Sequence, residues 1–338
     1  MLFQRNTWYV AAHPKDIDRQ LQRRIILNDP ILLYRAERGQ IVAIEDRCPH
    51  RFAPLSRGTL FGDVVQCKYH GLRFDSSGHC VLNPHGNVIA PHNRVRSFPV
   101  EERHGLVWIW MGNPEGARAD TIPDLSYMTS PKLRTAHAYI NPEYRYDILV
   151  DNLLDLSHGD YLHAGSFMGG ACERSETLVS EDGNDVIVNY IQWRAPAPPS
   201  IPGLPDTVNQ SFKIRWHPGQ VITFEYRVTP LDGDLESAAP FRFAHIATPE
   251  GEHKTHYFIS FTRDYALDDP ENDARASEQR VAVVENEDNP MLRAVDVQMA
   301  GRELMEMRPV ILPTDRGALA VRRKMQKLIN AETAKESA

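Results

Sequence analysis

The segment CPHRFAPLSRGTLFGDVVQCKYHG, residues 48–71, contains two cysteines and two histidines arranged in two short pairs. Cys48 is followed after one residue by His50, and Cys67 is followed after two residues by His70. Thiol and imidazole side chains at such spacing are typical of a metal site. Two packed cysteines beside two unrelated histidines would not explain why both pairs are so close in sequence.

The mixture of cysteine and histidine within each pair distinguishes between a zinc site and an iron–sulfur centre. Zinc remains a candidate, but in zinc fingers each short pair usually joins cysteine to cysteine and histidine to histidine. Here each pair joins one cysteine to one histidine. This suits a [2Fe–2S] centre in which Cys48 and Cys67 bind one iron while His50 and His70 bind the other. We therefore expect an iron–sulfur centre in this segment.

The sequence around this segment predicts short strands and a domain boundary. β-branched and aromatic runs alternate with Gly, Pro, Asn and Asp in RIILNDPILLYR (24–35), IVAIEDRC (41–48), VVQCKYHGLRFD (64–75) and LVWIWMG (106–112). Residues 1–115 carry 15 Lys and Arg against 11 Asp and Glu, whereas the remainder carries 23 against 34. Because the charge changes sign near the Gly- and Pro-rich stretch 112–124, we predict one domain over 1–115 and a second over 116–338.

Composition excludes several classes of protein. At about 150 residues per domain, a chain of 338 residues has room for two domains. The net charge of −7 argues against a nucleic-acid partner. No apolar run approaches the roughly 18 residues of a membrane span, and the first residues do not resemble a secretion signal. Four cysteines do not make a disulfide framework at this length. These features predict a soluble, cytoplasmic protein.

The second half of the chain mixes helices and strands. Helical patterns cover residues 142–158, about 270–302 and 314–335, and glycine-containing turns at 181–185, 217–220 and 249–254 separate pairs of strands. Strands in the middle with helices at the ends predict an α+β fold in which an antiparallel sheet wraps a long helix.

A second candidate site lies in DNLLDLSHGDYLH, residues 151–163. Asp155 and His158 share a helix face, whereas His163, five residues further on, does not. Gly159 is expected to break the helix there and allow His163 to turn back toward His158. Two imidazoles with one carboxylate form the facial triad of non-haem Fe(II) oxygenases. The alternative is a pair of core histidines with capping acids.

The missing carboxylate is predicted in QRVAVVENEDNPMLRAVDVQM, residues 279–299. Asp288 falls on an apolar stripe of helical period, where an unpaired carboxylate would be costly and a bound Fe(II) would remove the cost; the stripe consists of Val281, Val284, Leu292, Val295 and Met299. Alternatively Asp288 caps a helix that restarts at Pro290, although Asn289 is better placed as the cap. Asp296 is the second candidate ligand.

Five motifs together resemble the Rieske non-haem iron oxygenases over essentially the whole chain. They are RNTWYVAA (5–12), CPHRFAPLS (48–56), NPHGN (83–87), VEERHGLVWIWMG (100–112) and LVDNLLDLSHGDYLH (149–163). They are most similar to the monooxygenase branch, which includes O-demethylases. The resemblance implies an all-β Rieske [2Fe–2S] domain followed by a helix-grip (START-like) catalytic domain. Pro290 departs from the pattern of that branch.

The resemblance also implies how the chain works. It would be a terminal oxygenase that uses O₂ and electrons from NADH, delivered by a reductase directly or through a ferredoxin. His158, His163 and Asp288 would bind mononuclear Fe(II), and Asn152 would support that iron. Asp155 would connect His70 of one subunit to His158 of the next, which requires a head-to-tail homotrimer.

The predicted substrate is a small aromatic acid. On the strand PFRFAHIATP, residues 240–249, Phe241, Phe243 and His245 share one face by period-two alternation. His245 is similar to a substrate-binding histidine of the O-demethylase branch, but Gln279 stands where a relative has a stacking tryptophan. The expected reaction is hydroxylation of a methoxy or methyl carbon. Ring hydroxylation, N-demethylation and a Rieske electron carrier without oxygenase activity are the alternatives.

Overall fold

The computed structural model describes residues 3–336, except residues 87, 165–171, 173–174, 199–200 and 202. The chain forms two compact units, Arg5–Asp124 and Leu125–Ala338, and Met1–Gln4 belongs to the second. The division falls at the end of the Gly- and Pro-rich stretch 112–124. Among the helices of the described ranges, none combines the length and the apolar composition that a membrane span requires.

The first unit is built from short antiparallel strands, as the runs of β-branched and aromatic residues predict. In chain order they are β1 Trp8–Ala12, β2 Gln22–Ile26, β3 Asp29–Arg35, β4 Ile41–Glu45, β5 Thr59–Phe61, β6 Val64–Gln66, β7 Arg73–Phe74, β8 Cys80–Leu82, β9 Ser97–Phe98, β10 Val100–Arg103 and β11 Leu106–Trp110. They form sheets of order β1-β11-β10, β2-β3-β4-β9 and β5-β6-β7-β8.

Tight turns place the two cysteine loops in this unit. The run 24–35 contains the β2–β3 hairpin, whose Leu27 and Asn28 both have positive φ (53° and 68°), as the two-residue turns that match strand twist require. The loop with Cys67 joins the paired strands β6 and β7. The loop with Cys48 follows β4, and Ser56 donates its N–H to the buried Asp46 carboxylate at 2.6 Å, which ties the two ends of that loop together.

The second unit contains an antiparallel sheet of order β12-β18-β17-β16-β15-β14-β13. Its strands are β12 Arg134–Ile140, β13 Glu176–Asp182, β14 Asp185–Pro196, β15 Thr207–His217, β16 Val221–Thr229, β17 Phe241–Gly251 and β18 Lys254–Arg263. Along β14 the buried side chains alternate with less buried ones, because successive side chains of a strand point to opposite faces of the sheet. One face therefore packs on the core, and the predicted α+β fold is confirmed.

Helices cover the sheet and complete the second unit. They are α1 Tyr146–Leu154, α2 Pro270–Val283, a π-helical segment Val284–Asp288, α3 Asn289–Met299 and α4 Arg316–Glu336. Short 3₁₀ turns also occur, and the one relevant to the site is Leu156–Asp160. The first turn of α4 lies close to the sheet. A Cβ atom at Gly317 would lie only 2.7 Å from Cγ2 of Val188 on β14.

Buried ion pairs hold α1 against α4. The guanidinium of Arg322 on α4 pairs with Asp147 at 3.1 Å, and its Nε donates to Asp151 at 2.9 Å. Arg145 pairs with the other oxygen of Asp147 at 2.9 Å. A buried charge without a partner is strongly destabilising, so this network fixes α1 in position. The segment that follows α1 carries the two histidines of the second candidate site.

Candidate metal centres and substrate cavity

The two cysteine loops of the first unit have the same backbone conformation. In each loop the cysteine N–H donates to the carbonyl five residues further on, at 2.9 Å for Cys48 and 2.8 Å for Cys67. The N–H four residues further on donates back to the cysteine carbonyl, at 2.9 and 3.0 Å respectively. The two loops therefore present their cysteines and histidines from equivalent backbone frames.

These loops bring all four predicted ligands together. Both thiols are buried, whereas His50 is exposed and His70 is half-buried, with 4.4 Å between the centroids of the two imidazole rings. His70 is further fixed by its carbonyl, which lies 2.8 Å from Nε2 of His85. Burial raises the pKa of the Cys48 thiol to about 11, so a bound cation has to stabilise its thiolate. Two buried thiols below two outward imidazoles fit a [2Fe–2S] cluster with thiolates on one iron and imidazoles on the other.

Gly71 provides a test of the loop conformation. Its φ is +75°, and a Cβ there would lie 3.2 Å from Cγ of Pro84. Phe52 occupies the equivalent position of the other loop with φ +58°. A left-handed residue with a Cβ costs about 1–2 kcal/mol. We expect Gly71→Ala to lower the free energy of unfolding by that amount, measured by thermal denaturation, whereas the matched variant Phe52→Gly should not. Equal melting temperatures for Gly71→Ala and wild type would contradict this account.

In the second unit, His158, His163 and Asp288 form a candidate metal site. One ligand atom from each lies within 4.8 Å of the other two. Nε2 of His163 is 3.3 Å from Oδ1 of Asp288, and Nε2 of His158 is 3.8 Å from the same oxygen. Asp296, the alternative ligand, instead contacts Nδ1 of His253 at 2.9 Å.

The helix that carries the histidines breaks earlier than the sequence predicts. α1 ends at Leu154, and Asp155 adopts an extended conformation with φ −120° and ψ 100°. The Oδ1 atom of Asp155 accepts the Ser157 N–H at 2.8 Å and thereby caps the 3₁₀ turn. The expected break at Gly159 and the continuous helix over 142–158 are therefore wrong, because aspartate is a strong helix N-cap. The Asp155 carbonyl lies 2.5 Å from Nδ1 of His158 and orients that ring.

A π-helical segment places the third residue of the cluster. The Asn289 N–H donates to the Val284 carbonyl, a step of five residues in place of four. This widening accommodates Pro290, which has no N–H and would clash with a carbonyl four residues before it in an α-helix. Asp288 has helical dihedral angles and makes no side-chain capping hydrogen bond, so it does not serve as a helix cap.

The apolar stripe of this helix differs from the prediction at one position. Val295 is exposed, whereas Asp296 is buried in the series with Leu292 and Met299. These three positions have spacings of four and three residues, which define one helix face. The predicted member Val295 was therefore wrong, since it lies beside this face.

The carboxylates around His163 make the site suitable for a cation. Nδ1 of His163 lies 2.6 Å from Oε2 of Glu287, which the sequence analysis did not single out. Burial lowers the pKa of His163, but its hydrogen bonds to Asp288 and Glu287 outweigh that effect and raise it overall. Burial lowers the pKa of His158. Nδ2 of Asn152 donates to Asp288 at 3.4 Å. One carboxylate with two imidazoles, each contacted at its Nδ1 atom, fits a mononuclear iron site, in which the metal ion would replace any proton on Nε2 of His163.

A cavity of about 380 Å³ adjoins this cluster. His158, His163 and Asp288 line one part of it, and aromatic side chains of the sheet line another. The predicted substrate residues Phe243, His245 and Gln279 all line it; so do Phe212, Phe224, Tyr226, Phe241, Phe261 and Arg280. The volume is at the lower end of the range of about 300–1,000 Å³ for ligand sites, which suits a single-ring compound.

His245 contributes a polar group to the aromatic wall. Its Nδ1 lies 2.5 Å from the hydroxyl of Tyr257. Burial lowers the pKa of His245 to about 3, so the imidazole is neutral at physiological pH. Burial also raises the pKa of Tyr257, so its hydroxyl keeps its proton and can donate to Nδ1. In that arrangement Nδ1 is an acceptor, so the single N–H of the neutral imidazole is at Nε2, which is a hydrogen-bond donor.

Comparison with known proteins assigns both units. The Rieske [2Fe-2S] domain family matches residues 7–99, and the vanillate O-demethylase oxygenase C-terminal domain family matches residues 143–331. The oxygenase component of dicamba O-demethylase from Stenotrophomonas maltophilia is 38% identical over 99% of this chain and 100% of its own. An iron–sulfur subunit of the toluene-4-sulfonate monooxygenase system from Comamonas testosteroni is 33% identical over 98% of both chains. The crystal structure of dicamba monooxygenase bound to 3,6-dichlorosalicylic acid aligns over 99% of this chain and 100% of its own, at 36% identity with a TM-score of 0.91. The chain therefore belongs to the Rieske non-haem iron oxygenases, as the oxygenase component of a monooxygenase.

Proposed function

We propose that this oxygenase component hydroxylates a methoxy or methyl carbon of a small aromatic acid, and that a methoxy substrate is O-demethylated. The supporting observation is the aromatic cavity of about 380 Å³ that opens directly on His158, His163 and Asp288. The similarity to an oxygenase component of dicamba O-demethylase and to a toluene-4-sulfonate monooxygenase subunit agrees with this substrate class.

The proposal assigns the metal ligands by side-chain chemistry. Cys48, Cys67, His50 and His70 would hold the [2Fe–2S] cluster, and His158, His163 and Asp288 would hold the mononuclear iron. When bound, these groups supply electron transfer and activation of O₂. The protein contributes the fixed orientation of the ligands: Glu287 and the Asp155 carbonyl each hold one imidazole through its Nδ1 atom.

The cavity residues would orient the substrate and exclude water. Phe243 lies beside Phe261, with ring centroids 5.1 Å apart, and offers an apolar surface to an aromatic ring. Nε2 of His245 would donate a hydrogen bond to a substrate oxygen, because Tyr257 occupies Nδ1. Gln279, where a relative has tryptophan, would give a wider and more polar end to the cavity.

The proposed reaction requires electrons from outside the oxygenase. We infer that a reductase, directly or through a ferredoxin, transfers NADH-derived electrons to the cluster. In a head-to-tail homotrimer, the carboxylate of Asp155 would then connect His70 of one subunit to His158 of the next. The side chain of Asp155 is half-buried and uses Oδ1 to accept the Ser157 N–H.

Oxygen consumption with a panel of substrates tests this function. The iron-loaded protein, a surrogate reductase and NADH would be supplied with 2-, 3- or 4-methoxybenzoate, or with the corresponding toluates. We expect at least one methoxybenzoate to consume O₂ and to release formaldehyde and the hydroxybenzoate in equal amounts. His158→Ala is the inactive control. Turnover restricted to ring-hydroxylated products would contradict the proposal.

A further inference from the structure

A half-buried arginine lies in the wall of the cavity without an acidic partner among the described residues. The guanidinium of Arg280, on α2, lies 3.9 Å from the ring centroid of Phe261 and 5.6 Å from that of Phe243. One of its nitrogens donates to the Ala276 carbonyl at 2.7 Å. No carboxylate of the described residues pairs with it or raises its pKa. Burial lowers the pKa of Arg280 to about 10, so the group still carries its positive charge at neutral pH.

Two neighbouring arginines, in contrast, have acidic partners. Arg263 on β18 pairs with Asp273 at 2.6 Å. Arg275, one turn before Arg280 on the same helix, contacts Asp269 at 3.4 Å. Partial burial of a cation without a counter-ion removes some of its hydration, and the two aromatic faces offset only part of that cost. The positive charge is therefore maintained next to an empty space large enough for a ligand.

The position of Arg280 relative to the metal cluster suits an aromatic acid. Arg280 precedes Asp288 by eight residues, which corresponds to about 12 Å along a helix at about 1.5 Å per residue. Both side chains line the same cavity, and His245 also lines it. The charges of Arg280 and Asp288 act on the His245 pKa in opposite directions. A ring held against Phe243 would have its acid group at one end of the cavity and its reacting carbon at the other.

We propose that Arg280 is the counter-ion for the acid group of the substrate, and that it makes the cavity selective for aromatic carboxylates and sulfonates over neutral aromatics. This inference rests on the proposed function for the substrate class. Guanidinium binds a planar carboxylate through two parallel N–H donors, and Phe261 holds its plane. Arg280 would thus position the acid group rather than take part in the chemistry.

Direct binding measurements test the role of Arg280 without turnover. Calorimetric titration of the holoenzyme would compare 3-methoxybenzoate with 3-methoxybenzamide, which has the same shape without the charge. We expect wild type to prefer the acid, and Arg280→Met to weaken acid binding about 30-fold or more while changing amide binding less than threefold. Arg280→Lys should retain part of the preference. Arg134→Gln, which removes a cation that pairs with Asp273 and does not line the cavity, is the control and should retain the preference fully.

The melting temperature without ligand distinguishes a loss of binding from a loss of folding. Because Arg280→Met removes a half-buried charge that has no counter-ion, its melting temperature should equal or exceed that of wild type, while the stabilisation by 3-methoxybenzoate should disappear. Equal acid and amide affinity in wild type, or an unchanged preference in Arg280→Met, would overturn the assignment even if methoxybenzoates are demethylated. Conversely, Arg280-dependent acid binding with no demethylation would uphold the assignment and refute the proposed reaction.

Discussion

Asp288→Ala is expected to lower the iron content from about three atoms per subunit to about two, with the visible spectrum of the cluster unchanged. Oδ1 of Asp288 lies near the Nε2 atoms of both imidazoles, at 3.3 Å from that of His163 and 3.8 Å from that of His158. Loss of a residue that only supports a metal ligand costs about 10–100-fold in affinity, so loss of a ligand should cost at least as much. Metal analysis after gel filtration, combined with the cluster absorbance, measures both centres in one sample.

Two further variants serve as comparisons for the iron content of Asp288→Ala. Asp296→Ala removes a buried carboxylate of the same helix that contacts His253, so it should lower stability and retain the mononuclear iron. Glu287→Gln should weaken iron binding by the intermediate factor of about 10–100, because it removes the anionic partner of His163. Full mononuclear iron in Asp288→Ala together with loss of iron in Asp296→Ala would show that the assigned carboxylate is wrong.

Asp155→Asn is expected to reduce turnover about 100-fold while both metal centres stay occupied. The amide oxygen of asparagine can still accept the Ser157 N–H, because asparagine and aspartate are equivalent N-caps. The contact that orients His158 involves the backbone carbonyl of residue 155, which the substitution leaves in place. The variant therefore removes a negative charge without disturbing the local fold. Steady-state NADH oxidation coupled to product formation measures the loss.

Co-assembly of two inactive chains tests whether that charge acts between subunits. If the oxygenase assembles as the proposed head-to-tail trimer, co-expression of an Asp155→Asn chain with a His70→Ala chain would place some intact His70 opposite an intact Asp155. We expect such mixtures to recover part of the wild-type rate, since some interfaces regain both groups. Mixtures as inactive as either parent would show that electrons do not cross between subunits in this way.

The sequence was most informative where chemistry depends on local spacing. Cysteine and histidine within four residues of each other converge through a single turn, so the pairs around Cys48 and Cys67 could be recognised without knowledge of the fold. The three hairpins of the large sheet were equally predictable, because glycine or another turn residue separates strands of alternating burial. The family resemblance added what spacing alone could not, namely the pairing of His158 with a carboxylate 130 residues away.

Other parts of the site depend on tertiary structure and could not be predicted. Glu287 and Asp288 are adjacent, and neighbours on an α-helix point about 100° apart, so both would not be expected to contact His163. The proposed role of Arg280 as a counter-ion could be inferred only from the structure, in which the nearby carboxylates pair with other arginines. The sequence offers two places for the helix to end, one at Asp155 and one at Gly159. The helix ends before Asp155, because the Asp155 side chain caps the 3₁₀ turn that follows.

The π-helical segment Val284–Asp288 contains one residue more than an α-helix would need to cover the same turn. In an unbroken α-helix, positions eight apart differ by about 80° in rotation. Each residue of a π turn rotates the chain by a smaller angle than a residue of an α-helix does. The segment therefore places Arg280 and Asp288 on the same side of the helix, along one wall of the cavity. Deletion of one residue here would restore an ordinary α-helix and leave Arg280 and the aspartate seven positions apart, only about 20° out of phase, but Pro290 would then lie in the interior of that α-helix. The extra residue of the π turn thus lets one continuous helix include Pro290 while Asp288 stays on the cavity wall that it shares with Arg280.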